Sequence, residues 1–557
     1  MLQKSDLIIT NANVITLDNN NRRAGSVAVT NGRITGIWSE KEPPRCEVEY
    51  SIDTEVINLK GRTLIPGFID THNHILMYGQ MKQQIDCSSP VNESISDIQS
   101  RLKTVVEQTP KNQWILGYGY DDTLLKEKRH PTKDDLDTVA PHHPVFLRHI
   151  SGHLAVVNSA AMHLANIDEY ISEPSGGHFG RDSSGKLNGV LYEPGAMNTV
   201  FSKIPVPSTQ MLVSQLGEAA RDYLSQGITT NTDAAVGMFN GEVELEAHLT
   251  AVANGVNPLR MRLMVMHDLL KPVSLFGSLS AKEVNIEILK RSNGRAYLDG
   301  AKLFQDGSIQ GLTGALRKPY HCNADLYGDL IHNQERFNSE ILDLHKRGFR
   351  IAIHGNGDRA IKSILDAYEY ALENFPRDDH RHRIEHVQTA TLDDLNRMKE
   401  LGVAASFFIN HVYYWGDRHK KLFLGPHRAE RINPIADAIH RKLLFTLHSD
   451  CPITPISPLF SIWAAVNRLT KEGDILGPDQ QCDVETALKS MTIYGAQLNF
   501  DEQHSGSIEL GKHADFAVLE EDPTAINKEG IKDIPVTATI IGGNVVYESD
   551  LTSIASL

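Results

Sequence analysis

No apolar run in this 557-residue sequence reaches the ~18 residues a membrane-spanning helix needs. The opening Met-Leu-Gln-Lys-Ser-Asp-Leu-Ile-Ile-Thr lacks the apolar core of a secretory signal. Cysteine is scarce. Cys46, Cys87, Cys322, Cys451 and Cys482 are far apart with no CxxC spacing, which argues against a disulfide framework and for a reducing, cytoplasmic setting. Basic residues are in deficit, 55 against 70 acidic, for a formal charge of −15. That excludes a general nucleic-acid binder, which needs a basic surface, and no membrane partner is expected. No GxSxG elbow supports a serine nucleophile. Internal repeats and low-complexity stretches are also missing.

What remains is ordinary globular material, 41% hydrophobic and 22% charged, long enough for several structural units. Leu7 to Thr10, Val14 to Leu17, Ser26 to Val29 and Arg33 to Ile37 read as short strands split by Asn, Asp and Gly turns. Ala514 to Leu519 and Ala538 to Tyr547 repeat that texture near the other end. The pattern predicts one composite β domain, a small β-sandwich, from residues 1–61 and 504–557.

Between them, strand-like and helix-like segments alternate as in βαβ units. Strands are predicted at Thr63 to Ile69, Ile228 to Asp233, Met261 to Met266, Leu298 to Phe304, Arg350 to His354, His382 to His386, Val403 to Ser406 and Leu443 to Leu447. Eight such strands with intervening helices give an α/β fold, a (β/α)8 TIM-type barrel over residues 62–503. The gap between the first two strands is far too long for a crossover, so residues 75–205 are expected to form an inserted subdomain. It follows the C-terminal end of a strand, the end where barrel enzymes place their sites. A substrate-selecting role is expected there.

The 25 histidines matter for where they fall. His72 and His74 stand at i and i+2 after an apolar run, on one side of a strand, a spacing that suits a divalent ion such as zinc. His354 and His386 each end a predicted strand, Asp450 follows the last, and Lys302 lies in the fourth. Closing the barrel brings all six together, which predicts a metal site. A carboxylate beside a metal-activated water can also take its proton and pass it to a leaving nitrogen. Asp450 is therefore the predicted catalytic residue.

The pattern resembles the amidohydrolase superfamily. More narrowly it is similar to the amidohydrolase-3 family, which includes N-substituted formamide deformylases. The stretches that carry the likeness are Lys302-Leu-Phe-Gln-Asp-Gly-Ser308, His354-Gly-Asn-Gly-Asp-Arg-Ala360, Ser449-Asp450-Cys-Pro452 and Gly506-Ser-Ile-Glu-Leu-Gly-Lys-His-Ala-Asp-Phe516. The resemblance implies a metal-dependent hydrolase attacking an amide, formamide or cyclic amide with a metal-bound hydroxide. It also implies one or two divalent ions. His72, His74, Lys302 and Asp450 would hold one; Lys302, His354 and His386 would hold the other. A lysine carboxylated by CO2 becomes a carbamate able to bridge two ions, whereas a free Lys302 ammonium would serve only substrate beside a single ion. A small-molecule substrate and a homodimer are further family expectations.

Within the insertion, Arg148-His149-Ile-Ser-Gly-His153-Leu-Ala-Val-Val-Asn158 also resembles a family segment. Trp114, His153 and Asp306 are candidate substrate contacts, while Asn158 and Cys451 read as structural. Leu312 stands where many relatives carry Arg, and His448 has no assigned role. Two other functions compete. A heterocycle deaminase would want a Glu shortly after His354, where the sequence has Gly-Asn-Gly-Asp-Arg, and would not need Lys302. An inactive scaffold would not be expected to keep six candidate ligands.

Overall fold

The computed structural model describes residues 3–549, except His153 and Ser175. The chain forms two compact units, Met1–Leu76 with Thr209–Leu557, and Met77–Ser208.

The first unit is built on eight parallel strands: β1 (Phe68–Asn73), β2 (Ile228–Val236), β3 (Arg260–Met266), β4 (Ala296–Phe304), β5 (Ile351–Gly355), β6 (Arg383–His386), β7 (Ala404–Phe407) and β8 (Phe445–Leu447). Each pairs with the next in sequence order. The seam between β8 and β1 has no backbone ladder, but Thr71 Oγ1 donates to Thr446 Oγ1 at 2.9 Å and His74 N to the Cys451 carbonyl at 2.8 Å. The barrel is thus nearly closed. Strands buried on both faces need near-continuous apolar sequence, and Ile351-Ala-Ile and Ala404-Ala-Ser-Phe supply it.

Helices return the chain between strands. Asp358–Asn374 buries Ile361, Ile364, Leu365 and Tyr368, a 3.6-residue stripe facing the sheet. Leu392–Leu401 starts at a capping box, Thr391 bonding Asp394 N while the Asp394 carboxylate bonds back. It stops at Gly402, whose φ of 71° is cheap only for glycine.

The first barrel strand departs from the sequence expectation. Thr63–Pro66 is not part of it; that segment lies in a six-stranded sheet, antiparallel to Phe516–Leu519 and parallel to Asn13–Ile15. One apolar run serves two sheets, and Gly67 is the hinge. A Cβ there would collide with the Thr229 side chain, so only glycine lets the chain cross into the barrel. The six-stranded sheet continues with Val536–Ile541, Asn544–Glu548 and Arg23–Ala24, drawing on both ends of the chain. A second sheet joins Arg33–Trp38, Ser26–Thr30, Leu7–Thr10 and Glu55–Asn58. Ile9, Val27 and Ile57 of one share an apolar cluster with Leu64, Phe516 and Val518 of the other.

The second unit has its own six-stranded sheet: Ile85–Asp86, Ile115–Tyr120, Val145–His149, Leu154–Val157, Leu187–Tyr192 and His178–Arg181. Val145 and Leu147 join one apolar cluster and Phe146 another, so the alternation of a single strand serves both faces. Asn158 caps the helix Ser159–Leu164, accepting from Val145 N and Ala161 N and donating to the Ala140 and His143 carbonyls. Among the described residues no helix is long and apolar enough to cross a membrane.

Candidate metal centre

Two groups of side chains meet at the C-terminal ends of the barrel strands. In the first, His72 Nε2 and His74 Nε2 approach Asp450 Oδ1 at 3.3 and 3.2 Å. The three have the composition and proximity of a metal-ligand set. Asp450 Oδ1 is buried and takes no well-aligned hydrogen bond. Burial works against its charge, but His72, His74 and His386 outweigh that and hold the carboxylate well below its usual range.

In the second group His354 Nδ1 lies 2.9 Å from His386 Nε2. His354 Nε2 donates to the Gly307 carbonyl at 3.0 Å, which leaves Nδ1 with its lone pair. Burial drives His354 down to about 3, with Lys302 adding to the effect. It drives His386 well below the histidine range, with His354 adding. Both rings are neutral, the form in which imidazole binds a cation. The backbone here is left-handed at non-glycine residues, with φ of 72° at His386, 49° at Val387 and 52° at Asp450. Such conformations cost about 1–3 kcal/mol each and gather at functional sites.

Lys302, on β4, lies in the same neighbourhood. It is fully buried and its Nζ has no hydrogen-bond partner; the Nζ lies over the Phe304 ring, 4.8 Å from its centroid. Burial lowers its ammonium to about 8, Glu385 and Asp450 opposing and Arg383 adding. A buried, unpartnered ammonium is costly. An orphaned amine, an orphaned carboxylate oxygen and neutral imidazoles together fit a bound cation.

Three further residues complete the arrangement. Glu385 Oε2 accepts from His72 Nδ1 at 2.6 Å, both side chains buried. This is the outer carboxylate that metal-binding histidines usually have, and it turns Nε2 toward Asp450. Behind it Arg383 Nε lies 2.5 Å from Glu385 Oε1, and Arg383 Nη2 lies 2.9 Å from Asp299 Oδ2. Arg383 and Glu385, opposite charges at i and i+2 in a buried strand, were a legible sign of an ion pair in the barrel interior. His448 lies between Ser406 and His386, and ring nitrogens of His72, His386 and His448 also lie within 4.8 Å of one another, a second group of ligand composition.

His153 lies outside the described residues. Trp114 is half-buried against the apolar cluster around Phe146 in the second unit. Asp306 accepts from the backbone amides of Ala315 (2.9 Å), Asn356 (3.0 Å) and Gly357 (2.8 Å), ordering the loop after β4. In the second unit Asp121, Asp122 and His149 also have ligand composition. There Ser151 N donates to His149 Nδ1 at 3.1 Å, so Nε2 carries the proton and gives it to Asp122 Oδ1 at 3.1 Å. The His149 ring therefore has no lone pair left to offer a cation.

Residues 55–547 match the sequence profile of the amidohydrolase family. The chain is 30% identical to an N-substituted formamide deformylase of Arthrobacter pascens, over 98% of this chain and 99% of that one. It is 29% identical to the putative amidohydrolase YtcJ of Bacillus subtilis (strain 168), over 94% and 96%. Among solved structures it resembles an uncharacterized metal-dependent hydrolase of Pyrococcus horikoshii, with a TM-score of 0.75, 24% identity, and 94% and 99% of the two chains covered.

Proposed function

Since the chain belongs to the amidohydrolase family and is a metal-dependent hydrolase of non-peptide carbon–nitrogen bonds, we propose that it opens N-substituted formamides or related amides at two divalent ions bridged by a carbamate on Lys302. His72, His74 and Asp450 would hold one ion, and His354 and His386 the other. The nitrogen-rich set favours zinc. The observation that carries the bridge is the Lys302 amine, buried, unpartnered and lowered to about 8. A neutral amine adds CO2 to give a carbamate and a proton. Two divalent ions bring about four positive charges, and without that anion only Asp450 would stand between them.

Ions held there supply Lewis acidity, polarising a carbonyl and acidifying a water. The chain's own residues do the rest. Asp450, kept ionised by the surrounding histidines, takes the proton of the attacking water at Oδ2, because Oδ1 faces His72 and His74. It then returns that proton to the departing nitrogen. Glu385 keeps His72 oriented while this happens. Deamination is the weaker reading. It would want an acid beside His354, and the Asp306 carboxyl, 3.7 Å from His354 Nε2, is taken up by three backbone amides.

The name of the Arthrobacter relative makes N-substituted formamides the first substrates to try. Substrate choice is assigned to the 75–205 insertion, with Trp114 and His153 as candidate contacts and Asp306 as a third. The two terminal sheets are taken as one composite domain of residues 1–61 and 504–557. A cytoplasmic site and a homodimer complete the reading, the first supported by five cysteines that are all free. The decisive experiment is a hydrolysis screen of metal-reconstituted protein across N-formyl, N-acetyl and cyclic amides, with heterocyclic amines in parallel. Turnover of the amines alone would replace this proposal with the deaminase.

A further inference from the structure

His448 has contacts beyond what packing requires. Its Nε2 is 3.2 Å from His386 Nδ1 and its Nδ1 is 2.9 Å from Ser406 Oγ, all three side chains buried. On its other side His386 Nε2 meets His354 Nδ1 at 2.9 Å, and His354 Nε2 donates to the Gly307 carbonyl. One unbroken line of hydrogen bonds therefore runs from Gly307 through three imidazoles to a serine hydroxyl.

The line has a direction, and donor–acceptor chemistry fixes it. A carbonyl can only accept, and Asn356 Nδ2, 3.0 Å from the same His354 nitrogen, already donates to that carbonyl at 2.9 Å, so we take His354 to carry its proton on Nε2 and a lone pair on Nδ1. With no cation present, that lone pair takes the proton of His386 Nε2. A neutral His386 is then bare at Nδ1, so His448 must donate from Nε2, is bare at Nδ1, and accepts from Ser406. Now let His354 Nδ1 and His386 Nε2 hold an ion, as the ligand set proposed above requires. Both nitrogens must then offer lone pairs, so His386 carries its proton on Nδ1. His448 becomes bare at Nε2 and protonated at Nδ1, and Ser406 accepts. The two rings each keep one proton throughout and neither changes charge; only the nitrogen that carries it moves.

Such a line can serve both states only if its end can donate and accept, and a hydroxyl does both. The other half of the centre is built differently. His72 Nδ1 is met by the Glu385 carboxylate, an acceptor, so its Nε2 faces outward in one fixed sense. We propose that Ser406 and His448 form a tautomer switch that releases the Nε2 lone pair of His386 to a metal ion, His448 being a positioning residue and not a ligand. The inference rests on the ligand set of the proposed function.

The test uses the full chain labelled with 15N-histidine, with zinc removed and then restored. Long-range 15N–1H spectra distinguish Nδ1–H from Nε2–H, with His386→Gln and His448→Gln giving the assignments. The expected result is His448 as Nε2–H without zinc and Nδ1–H with it. Zinc affinity, read by competition with a chromophoric chelator, should fall about 10- to 100-fold in His448→Phe, the usual loss for an outer-shell partner. His448→Gln should restore most of it, since its carboxamide can present either an oxygen or an N–H to His386. Ser406→Ala, whose small change leaves the fold alone, should weaken zinc in the same direction. One His448 tautomer in both states, a direct zinc shift at His448 Nε2, or undiminished affinity in both His448→Phe and Ser406→Ala would overturn the switch. Zinc bound with no shift at His386 Nε2 would instead overturn the ligand set, and the switch with it.

Discussion

Strand β6 has histidines at both ends, and the two groups are built on different terms. Before its N-terminal end, His382 Nδ1 accepts from Ile351 N at 3.0 Å, and His382 Nε2 meets His345 Nδ1 at 2.8 Å. His345 Nε2 in turn donates to the Phe375 carbonyl at 2.8 Å. His380 takes the His382 amide at 2.9 Å and donates to the Leu401 carbonyl at 2.8 Å. Every ring nitrogen in that group has a partner inside the protein, so nothing is left over for a ligand. At the C-terminal end His386 sits in left-handed backbone, in the group where the Lys302 amine has no hydrogen-bond partner and Asp450 Oδ1 has only its ion-pair approach to His72 and His74. The C-terminal histidines are bonded too, His386 to His354 and His448, and what marks their end of the strand is the unpartnered lysine amine in their group.

The largest effect should come from the most incomplete group. Lys302→Ala is expected to lower turnover by about 10^3-fold or more, because a bridge stabilising two ions is worth several kcal/mol. Metal per chain should fall with it, and a short carboxylate with excess zinc should restore part of the activity. Full metal content and activity in Lys302→Ala would break the contrast at its strongest point. Next, removing metal should destabilise the protein, by about 4 kcal/mol where free zinc had stood near 1,000 times its Kd. Calorimetry with and without chelator measures this, and an unchanged midpoint with metal gone would count against the site. A paired substitution sharpens the comparison further. His382→Leu leaves the Ile351 amide and His345 Nδ1 unpaired, which should cost about 2–4 kcal/mol with zinc content untouched. His386→Leu should lose zinc, and because it strips His354 Nδ1 and His448 Nε2 of their partner it should cost the metal-free protein a similar amount, so zinc content is what separates the two variants.

The sequence could not separate the two groups, because His380, His382 and His386 stand within seven residues of one another in His-Arg-His-Arg-Ile-Glu-His. What distinguishes them is distance in the chain: the partner of Glu385 is His72, 313 residues away. Strands β2 to β8 were legible because buried parallel strands must be apolar throughout. The first was not, because the same apolar run feeds the terminal sheet and then the barrel, with only Gly67 to mark the change. Residue types pointed to His72, His74, His354, His386 and Asp450, which the structure brings within contact. Ser406 was missed and His448 left without a role for a physical reason: they orient other side chains, and orientation has no spacing signature, whereas Glu385 had only its i, i+2 spacing to Arg383 to show it.

The smallest effect is a matter of slope. Burial lowers His345 and His380 and puts His382 well below the histidine range, with Arg377 adding in each case and Arg350 also at His382. The carbonyls of Phe375 and Leu401 pull the other way at His345 and His380, as does Asp379 at His380. In the unfolded chain each ring titrates near ~6.5. Above that pH the rings are neutral in both states and contribute no pH dependence. As pH falls below ~6.5 the unfolded chain takes up protons the folded protein cannot, so stability is lost, by at most about 1.4 kcal/mol per pH unit for each ring. The loss continues until the folded pKa is reached. Metal-free protein isolates this from zinc release. Its stability should drop between about pH 7 and 5, and the drop should be shallower in His382→Leu, because that variant is already without one proton acceptor in the unfolded state. Parallel slopes for parent and variant would mean that the N-terminal group stays closed through some other means than neutral, fully bonded rings, and the contrast between the two ends of β6 would lose its electrostatic half.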